Sequence, residues 1–386
     1  MRLCGVVRVC LLAALMAAAW SGGRVQVTLA QTQSSEGVPL RKQTAPGKDV
    51  GPAENRTTVG LLAGTPQCTE SAIAQDIATT LASGQESGPH GEVALRVLPI
   101  VGNGGIRNLS DVLTLAGADL AIAPVVLADR LRDSRAFGDI RDKLVYVTPL
   151  YVEEFHLLAR PEIASLADLA GKSVNLGEAD SAGAVLGREV LNRLDVKINE
   201  LNLGPEAALD QLRKGQIAAA LLVSGQPVSV LAHDLRIDGV HFLSIPYAQA
   251  LQQDYVPTTL QHQDYPDIIA AGAHVDTVAV ESALFAYNWP ARSDRFQLLQ
   301  LFVQTLFSRF GEFLGDAHHP KWREVNLAAQ LKGWQQFRPA ERWVQREITL
   351  RGAFGRFLDQ KAIGNTPDRE GLFREFLQWR DRNQRR

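Results

Sequence analysis

Short apolar runs alternate with helix-periodic stretches along most of the chain. Apolar runs predict strands at 57–64, 93–100, 119–123, 154–159, 172–176, 198–203, 217–223 and 277–280. Apolar residues at helical spacing predict helices through Ile73, Ile77 and Leu81, from Asn108 onward, and over 163–170, 182–194, 205–214 and 227–233. Strands that alternate with helices favour a parallel sheet with crossover helices. The pattern therefore predicts an α/β fold.

The order of these elements also predicts two lobes. The strand at 277–280 returns to the first α/β unit, so the second unit is inserted into the first. We predict lobe 1 at 57–153 and 270–300, an inserted lobe 2 at 154–269, and a helical C-terminal segment at 301–386. An inserted lobe means that the chain crosses twice between the lobes, which leaves a cleft between them. Small ligands usually bind in such concave sites between domains.

The C-terminal segment is rich in tryptophan. The pattern becomes helical from about Trp289, and five of the six tryptophans lie at or beyond that residue. Aromatic side chains at this density bury large areas. Packing of these helices across the lobes is favoured over a surface that docks a partner.

The N-terminal region has the pattern of an export signal followed by a tether. Arg2 and Arg8 flank the start of an apolar run at 9–20, and small residues follow it. This run is shorter than the roughly twenty residues that span a bilayer, so we predict a signal peptide at 1–30 and a periplasmic protein. Residues 31–56 are polar and rich in Gly, Pro and Ser, which predicts a disordered linker.

Composition narrows the function classes. The chain has 40 basic and 42 acidic residues, and loss of 1–30 would remove three arginines and leave an acidic protein. Nucleic acid is therefore not an expected partner. Cys68 would be the only cysteine left, which excludes an internal disulfide. The sequence has no HExxH, paired-Cys, P-loop or GxSxG motif, so we predict no cofactor, metal or catalytic residue, and a monomeric protein that is not an enzyme.

Four loops that follow predicted strands carry glycine and polar residues. They are the segments at 64–67, 102–108, 177–183 and 224–227. In open α/β sheets ligands bind beyond the carboxyl ends of the strands, so these loops predict a binding cleft. We expect Thr65 to cap a helix that Pro66 opens, which leaves backbone N–H groups able to bind a carboxylate or phosphate. A capped helix end that touches no ligand is the alternative.

Four longer segments carry a family resemblance. VLPIVGNGGIRNLSDVLTLAGADLAIAP, LYVEEFHLLAR, IASLADLAGKSVNLGEADSAG and ALDQLRKGQIAAALLVSGQP resemble, in order and spacing, the TAXI-type, NMT1-like solute-binding proteins associated with TRAP transporters. The resemblance covers about 57–289. It implies the type II periplasmic binding protein fold, two lobes that close on a small carboxylated metabolite or amino acid, and a membrane permease as partner. A ligand-sensing receptor for a signalling partner is the alternative.

The resemblance also implies ligand contacts. Carried over residue by residue, they fall on Gly64, Thr65, Gly104, Gly105, Asn108, Glu153, Ser181, Gly183, Ser224 and Gly225. The sequence departs from the family pattern at Pro66, Pro124 and Asp180. We add Asp180 to the predicted site because it places a carboxylate where the family has glycine. An inward Asp180 favours a cationic or amine-bearing ligand, and an outward one only caps a helix.

Overall fold

A computed structural model describes residues 57–83, 95–232, 240–360, 371–374 and 376. The predicted signal peptide at 1–30 and linker at 31–56 lie outside these residues. All described residues fall in one compact unit, Gly37–Arg386. Within the described part of the chain, no helix combines the length and the apolarity needed to cross a membrane.

The described residues form one sheet with α-helices around it, and residues 371–374 and 376 are also helical. The strands are β1 (Thr58–Leu62), β2 (Arg96–Ile100), β3 (Leu120–Pro124), β4 (Leu144–Ala159), β5 (Ser173–Asn175), β6 (Asn199–Leu201), β7 (Ala219–Ser224), β8 (His241–Phe242), β9 (Val256–Gln261) and β10 (His274–Tyr287). The helices are α1 (Thr69–Ala82), α2 (Ile106–Thr114), α3 (Val125–Ser134), α4 (Ala182–Arg193), α5 (Pro205–Arg213), α6 (Ser229–Ala232), α7 (Asp294–Ser308) and α8 (Arg338–Gln360).

The sheet consists of two parallel halves joined by two crossing strands. Its order is β2-β1-β3-β10-β4-β7-β5-β6, with β8 paired to β4 and β9 paired to β10. Strands β1, β2 and β3 are parallel and form the first half, and β5, β6 and β7 are parallel and form the second half. The long strands β4 and β10 pair with each other and extend into both halves. The predicted α/β fold with two crossings is confirmed.

The register of the crossing strands brings the ends of the other strands together. Ser224, the last residue of β7, pairs with Glu154 in the middle of β4. Pro124, the last residue of β3, pairs with Ser282 in β10. The carboxyl ends of strands from both halves therefore meet at the crossing, which is where ligands bind in sheets of this kind.

Each half has its own hydrophobic core. One cluster surrounds the first half and includes Trp322 and Trp334 of the C-terminal segment. Two further clusters cover opposite faces of the second half, and successive residues of β4 alternate between them, with Leu157 in one and Leu158 in the other. Trp322 is 1% exposed, so this part of the aromatic C-terminal segment packs as core.

Several elements differ from the prediction. Strands β4 and β10 have 16 and 14 residues, much longer than the predicted runs at 154–159 and 277–280. Pro149 and Glu153 interrupt the apolar pattern of β4, although tertiary contacts keep the strand continuous. The predicted helix at 163–170 is only a short 3-10 turn, Leu166–Leu169.

A buried histidine links the crossing strand to the second half. The backbone N–H of Val228 donates to the Tyr265 hydroxyl (3.0 Å), so that hydroxyl donates its own proton to His156 Nε2 (2.7 Å). His156 Nδ1 lies 3.0 Å from the Glu154 carbonyl oxygen and carries the ring proton that donates to it. Burial lowers the pKa of His156 to about 3, so the imidazole is neutral.

Replacing Tyr265 by phenylalanine is expected to lower the free energy of unfolding by about 2 kcal/mol, because the N–H of Val228 and the Nε2 of His156 each lose a buried partner. Urea denaturation at pH 7 measures the change. Tyr247→Phe is the matched control, since Tyr247 is 36% exposed. Equal midpoints for the two variants would contradict a structural role for the Tyr265 hydroxyl.

Candidate functional site

A small cavity of about 60 Å³ lies between loops from the two halves of the sheet. Four predicted site residues line it, namely Gly64, Thr65, Ser181 and Gly183. The lining also includes residues that were not among the predicted ligand contacts, among them Cys68, Glu70, Asn175 and Gly177. The predicted loops at 64–67 and 177–183 therefore do meet in one concave site.

The start of α1 differs from the prediction. Thr65 does not cap the helix, and Pro66 does not open it. The helix begins at Thr69 with Cys68 at the N-cap position, and the Thr65 hydroxyl lies 3.0 Å from the Cys68 sulfur. The extra turn places Glu70 in the first helical turn, where a carboxylate is favoured by the helix dipole. The sequence analysis missed Glu70. The feature that could have identified it is an acidic residue shortly after a loop that follows a strand.

The Glu70 carboxylate lies between two predicted glycine loops. A Cβ atom added to Gly64 would be 3.1 Å from Glu70 Oε2, and one added to Gly104 would be 2.9 Å from Glu70 Oε1. Gly104 also has φ +66°, a conformation that side chains other than glycine rarely adopt. The glycines that the resemblance implies for ligand contact thus make room for the protein's own carboxylate.

The Glu70 carboxylate is buried, and one of its oxygens has no hydrogen-bond partner. Its side chain is 2% exposed, and Oε2 has no hydrogen-bond partner. Burial raises the pKa of Glu70 to about 7, against the opposing effects of its own backbone N–H and the Ser224 hydroxyl. Near neutral pH this carboxyl is therefore divided between its charged and protonated forms.

Glu153 lies at the crossing, where it pairs with Val280 of β10. It is fully buried in β4, and its Oε1 accepts a hydrogen bond from the Ser282 hydroxyl. Its Oε2 and the nearby Tyr151 hydroxyl have no hydrogen-bond partner. Burial and the charge of Glu70 raise the pKa of Glu153 well above its usual range. Glu70 and Glu153 therefore form a buried acidic pair.

The next residue, Glu154, is held by a buried lysine. Lys321 Nζ lies 2.5 Å from Glu154 Oε1 and 2.6 Å from Glu324 Oε1, and the Gln226 backbone N–H donates to Glu154 Oε2 (2.9 Å). Burial raises the pKa of Glu154 to about 7, although Lys321 and the Gln226 N–H favour the charged form. Lys321 thus ties the C-terminal segment to the crossing.

Hydrogen bonds connect the first turn of α1 to the end of β7. The Thr69 backbone N–H donates to the Ser224 hydroxyl (2.9 Å), and the Thr69 hydroxyl donates to the Gly225 carbonyl. A Cβ atom added to Gly225 would be 3.0 Å from the Tyr151 ring and 3.1 Å from Lys321 Cε. Ser224 and Gly225 therefore hold the two halves together at the base of the site.

The remaining predicted residues position the loops. Asn108 lies inside α2 and does not cap it; its side chain accepts from the Asn103 N–H (3.2 Å) and donates to the Ala63 carbonyl (2.9 Å). The N-cap of α2 is Gly105, close to the Asp180 carbonyl. Asp180 is exposed, and its backbone has φ +63°. The Ser181 hydroxyl caps α4 by accepting a hydrogen bond from the Ala184 N–H (3.1 Å).

The site has no arrangement typical of a nucleophile or a metal centre. Burial and the charge of Glu70 raise the pKa of Cys68 to about 12, so its thiol is neutral at physiological pH. No group of three or more His, Cys, Asp or Glu side chains in the described residues is placed to hold a metal ion. The arrangement suits reversible binding of a polar group.

Comparisons with known proteins identify one matching family and several similar structures. The model of the NMT1-like family matches residues 74–334. A search of curated proteins gives no match. One similar structure is the P235GK mutant of ArgBP from T. maritima, with 11% identity, a TM-score of 0.41, and coverage of 70% of this chain and 97% of that one.

Two other similar structures come from different bacteria. The alkanesulfonate-binding protein SsuA from Xanthomonas axonopodis pv. citri, bound to MOPS, has 14% identity and a TM-score of 0.40, with coverage of 73% of this chain and 83% of that one. An ABC uptake transporter substrate binding protein from Streptococcus pneumoniae, with bound histidine, has 12% identity and a TM-score of 0.43, with coverage of 70% and 93%.

Proposed function

This chain belongs to the NMT1-like family, and from that membership and the geometry of its cleft we propose that it is a solute-binding protein. It holds a small metabolite between the two halves of its sheet and releases it unchanged. The observation that carries the proposal is the meeting of post-strand loops from both halves at one cavity, with Gly64 and Thr65 on one side and Ser181 and Gly183 on the other.

The sequence resemblance supplies the finer part of the proposal. It supports capture of a carboxylated metabolite or amino acid outside the cytoplasmic membrane, delivery to a TRAP-type permease, and the TAXI subtype. The alternative function, a ligand-sensing receptor, would be supported if the aromatic C-terminal segment formed a surface that docks a signalling partner. Trp322 and Trp334 belong to the hydrophobic core of the first half. Because these side chains pack inside the protein, we favour the transport proposal over the receptor.

Calorimetry of the purified protein against amino acids, amines, dicarboxylates and keto acids tests solute binding. We expect at least one of these solutes to bind with a micromolar or lower dissociation constant and to return unchanged after the complex is denatured. A panel in which nothing binds at millimolar concentration would contradict the proposal. Turnover of a bound solute would contradict the prediction that the protein is not an enzyme.

Ser224→Ala is expected to weaken binding of any such ligand about tenfold, because the closed form loses the bond between the Thr69 N–H and the Ser224 hydroxyl. The measurement is the dissociation constant, with the urea midpoint as a check on folding. Ser308→Ala is the control, since its exposed hydroxyl only bonds within α7. Equal affinities for the two variants would show that this contact does not contribute to closure.

A further inference from the structure

The cavity between the halves of the sheet has a buried carboxylate in its wall. Glu70 lines the cavity, is 2% exposed, and leaves Oε2 without a hydrogen-bond partner. Glu153 Oε2 and the Tyr151 hydroxyl, on which the charge of Glu70 acts, are also buried without partners, although neither residue lines the cavity. Unpartnered polar atoms are uncommon inside folded proteins, and Glu70 Oε2, in the wall of the cavity, points to a ligand that bonds there.

The protein's own positive charge does not neutralise this acidic pair. Among the residues whose burial the structure describes, Lys321 is the single lysine or arginine with a buried side chain. It is already bonded to Glu154 and Glu324. The charge of Lys321 also acts on Glu153 and opposes the rise of its pKa, but Lys321 forms its ion pairs with Glu154 and Glu324, so neither Glu70 nor Glu153 has a bonded cation among the described residues.

The other titratable groups around Glu70 do not offset its charge. Cys68, which is half-buried, and Tyr151, which is buried, are both influenced by its charge; desolvation together with the neighbouring carboxylates raises the pKa of both, so both stay neutral. The charge of Glu70 likewise raises the pKa of Glu153. What Glu70 and Glu153 can accept is a proton or an external cation, whereas an anionic group would be repelled by the charged form of Glu70.

From this arrangement, and resting on the proposed function, we propose that the ligand carries a protonated amine or guanidinium group that pairs with Glu70. The cavity of about 60 Å³ is smaller than the roughly 150 Å³ that holds a benzene molecule, so the part of the ligand that lies beside Glu70 is a small head group. A charge-assisted hydrogen bond to Glu70 Oε2 is the contact that selects the head group. Asp180, the sequence-based source of such a preference, is exposed.

Matched solutes that differ in the amine test this ligand class. Putrescine is compared with succinate, and L-glutamate with 2-oxoglutarate, by calorimetry at pH 7. We expect the amine to bind at least tenfold more tightly than its acid partner in at least one pair. If succinate and 2-oxoglutarate each bind as well as their partners, the amine class is overturned while solute binding stands. If none of these solutes binds, and no other member of the panel does, solute binding itself fails.

Proton release identifies Glu70 as the contact. Because burial raises the pKa of Glu70 to about 7, the carboxyl is partly protonated at pH 7 in the free protein, and an incoming cation displaces that proton. Binding enthalpies measured in phosphate and in Tris should differ accordingly. Glu70→Gln should remove both this buffer dependence and the preference for the amine.

Glu281→Gln is the matched control for this variant, because Glu281 lies in β10 at the crossing and is exposed. It should keep the buffer dependence and the amine preference of the natural protein. Urea denaturation checks that both variants are folded. A folded Glu70→Gln protein that still releases a proton and still prefers the amine would overturn the assignment of Glu70.

Discussion

Lys321→Met is expected to lower the free energy of unfolding by about 3 to 5 kcal/mol at pH 8, because it leaves the Glu154 carboxylate buried without its counter-charge. Lys321 is 2% exposed and Glu154 is 1% exposed. The expected loss is therefore that of breaking a buried ion pair, which is much larger than the contribution of an exposed one. Urea denaturation at pH 8, above the pKa of about 7 for Glu154, measures it.

The double variant Lys321→Met with Glu154→Gln separates the charge from the packing. Methionine keeps most of the volume of lysine, and glutamine removes the uncompensated charge, so the double variant should recover most of the lost stability. Arg141→Met is the surface control, because Arg141 and Asp139 form a pair with 64% and 63% exposed side chains, and its midpoint should not change. A loss below about 1 kcal/mol for Lys321→Met would show that the buried pair is not ionised.

Glu70→Gln is expected to stabilise the ligand-free protein by about 3 kcal/mol at pH 8 and to have little effect at pH 4. Burial raises the pKa of Glu70 from its ordinary 4.5 to about 7, and each pKa unit corresponds to about 1.4 kcal/mol. The folded protein binds this proton more tightly than the unfolded chain. The stability that the protonated carboxyl contributes is therefore complete below pH 4.5 and is lost as the pH rises through 7.

The measurement is the difference in unfolding free energy between the variant and the natural protein at pH 4, 6 and 8. Taking the difference removes the titration of Glu154 and His156, which is common to both proteins. Glu281→Gln should give a difference near zero at each pH. A Glu70→Gln difference that does not grow with pH would contradict a buried, ionisable Glu70.

Together these two results would assign opposite roles to neighbouring acids at the crossing. Lys321 neutralises Glu154, and the pair fastens the C-terminal segment to β4. Glu70 has no such partner and is held at a cost in stability. A residue kept at such a cost is typical of binding sites, where function limits stability.

The sequence predicted the α/β fold because its evidence is local. Apolar runs such as that of β7 and helix-periodic stretches such as that of α4 read correctly, since neighbouring residues set those patterns. The loops at 64–67 and 177–183 could also be placed at one cleft, because the carboxyl ends of strands are a general property of the sheet. The lobe boundaries and the ligand contacts remain predictions.

Local evidence was misleading where distant residues decide the structure. Pro149 and Glu153 look like the end of a strand, yet both pair with β10, and this pairing carries β4 through them. Thr65 and Pro66 form a good cap and first turn by themselves, but α1 begins only at Thr69, where the backbone N–H meets Ser224 from the second half of the sheet.

By itself, the sequence determined the alternation of strands and helices in most of the sheet and the positions of the glycine-rich loops, because spacing along the chain sets both; α3, β8 and β9 were not predicted. Only the tertiary structure decided which acids are charged, neutralised or left without a partner. Lys321 is 167 residues away from Glu154 in sequence, and no pattern near Glu70 shows that both halves of the sheet exclude water from it. Burial and long-range pairing set the chemistry of this cleft, and both arise only when the chain is folded.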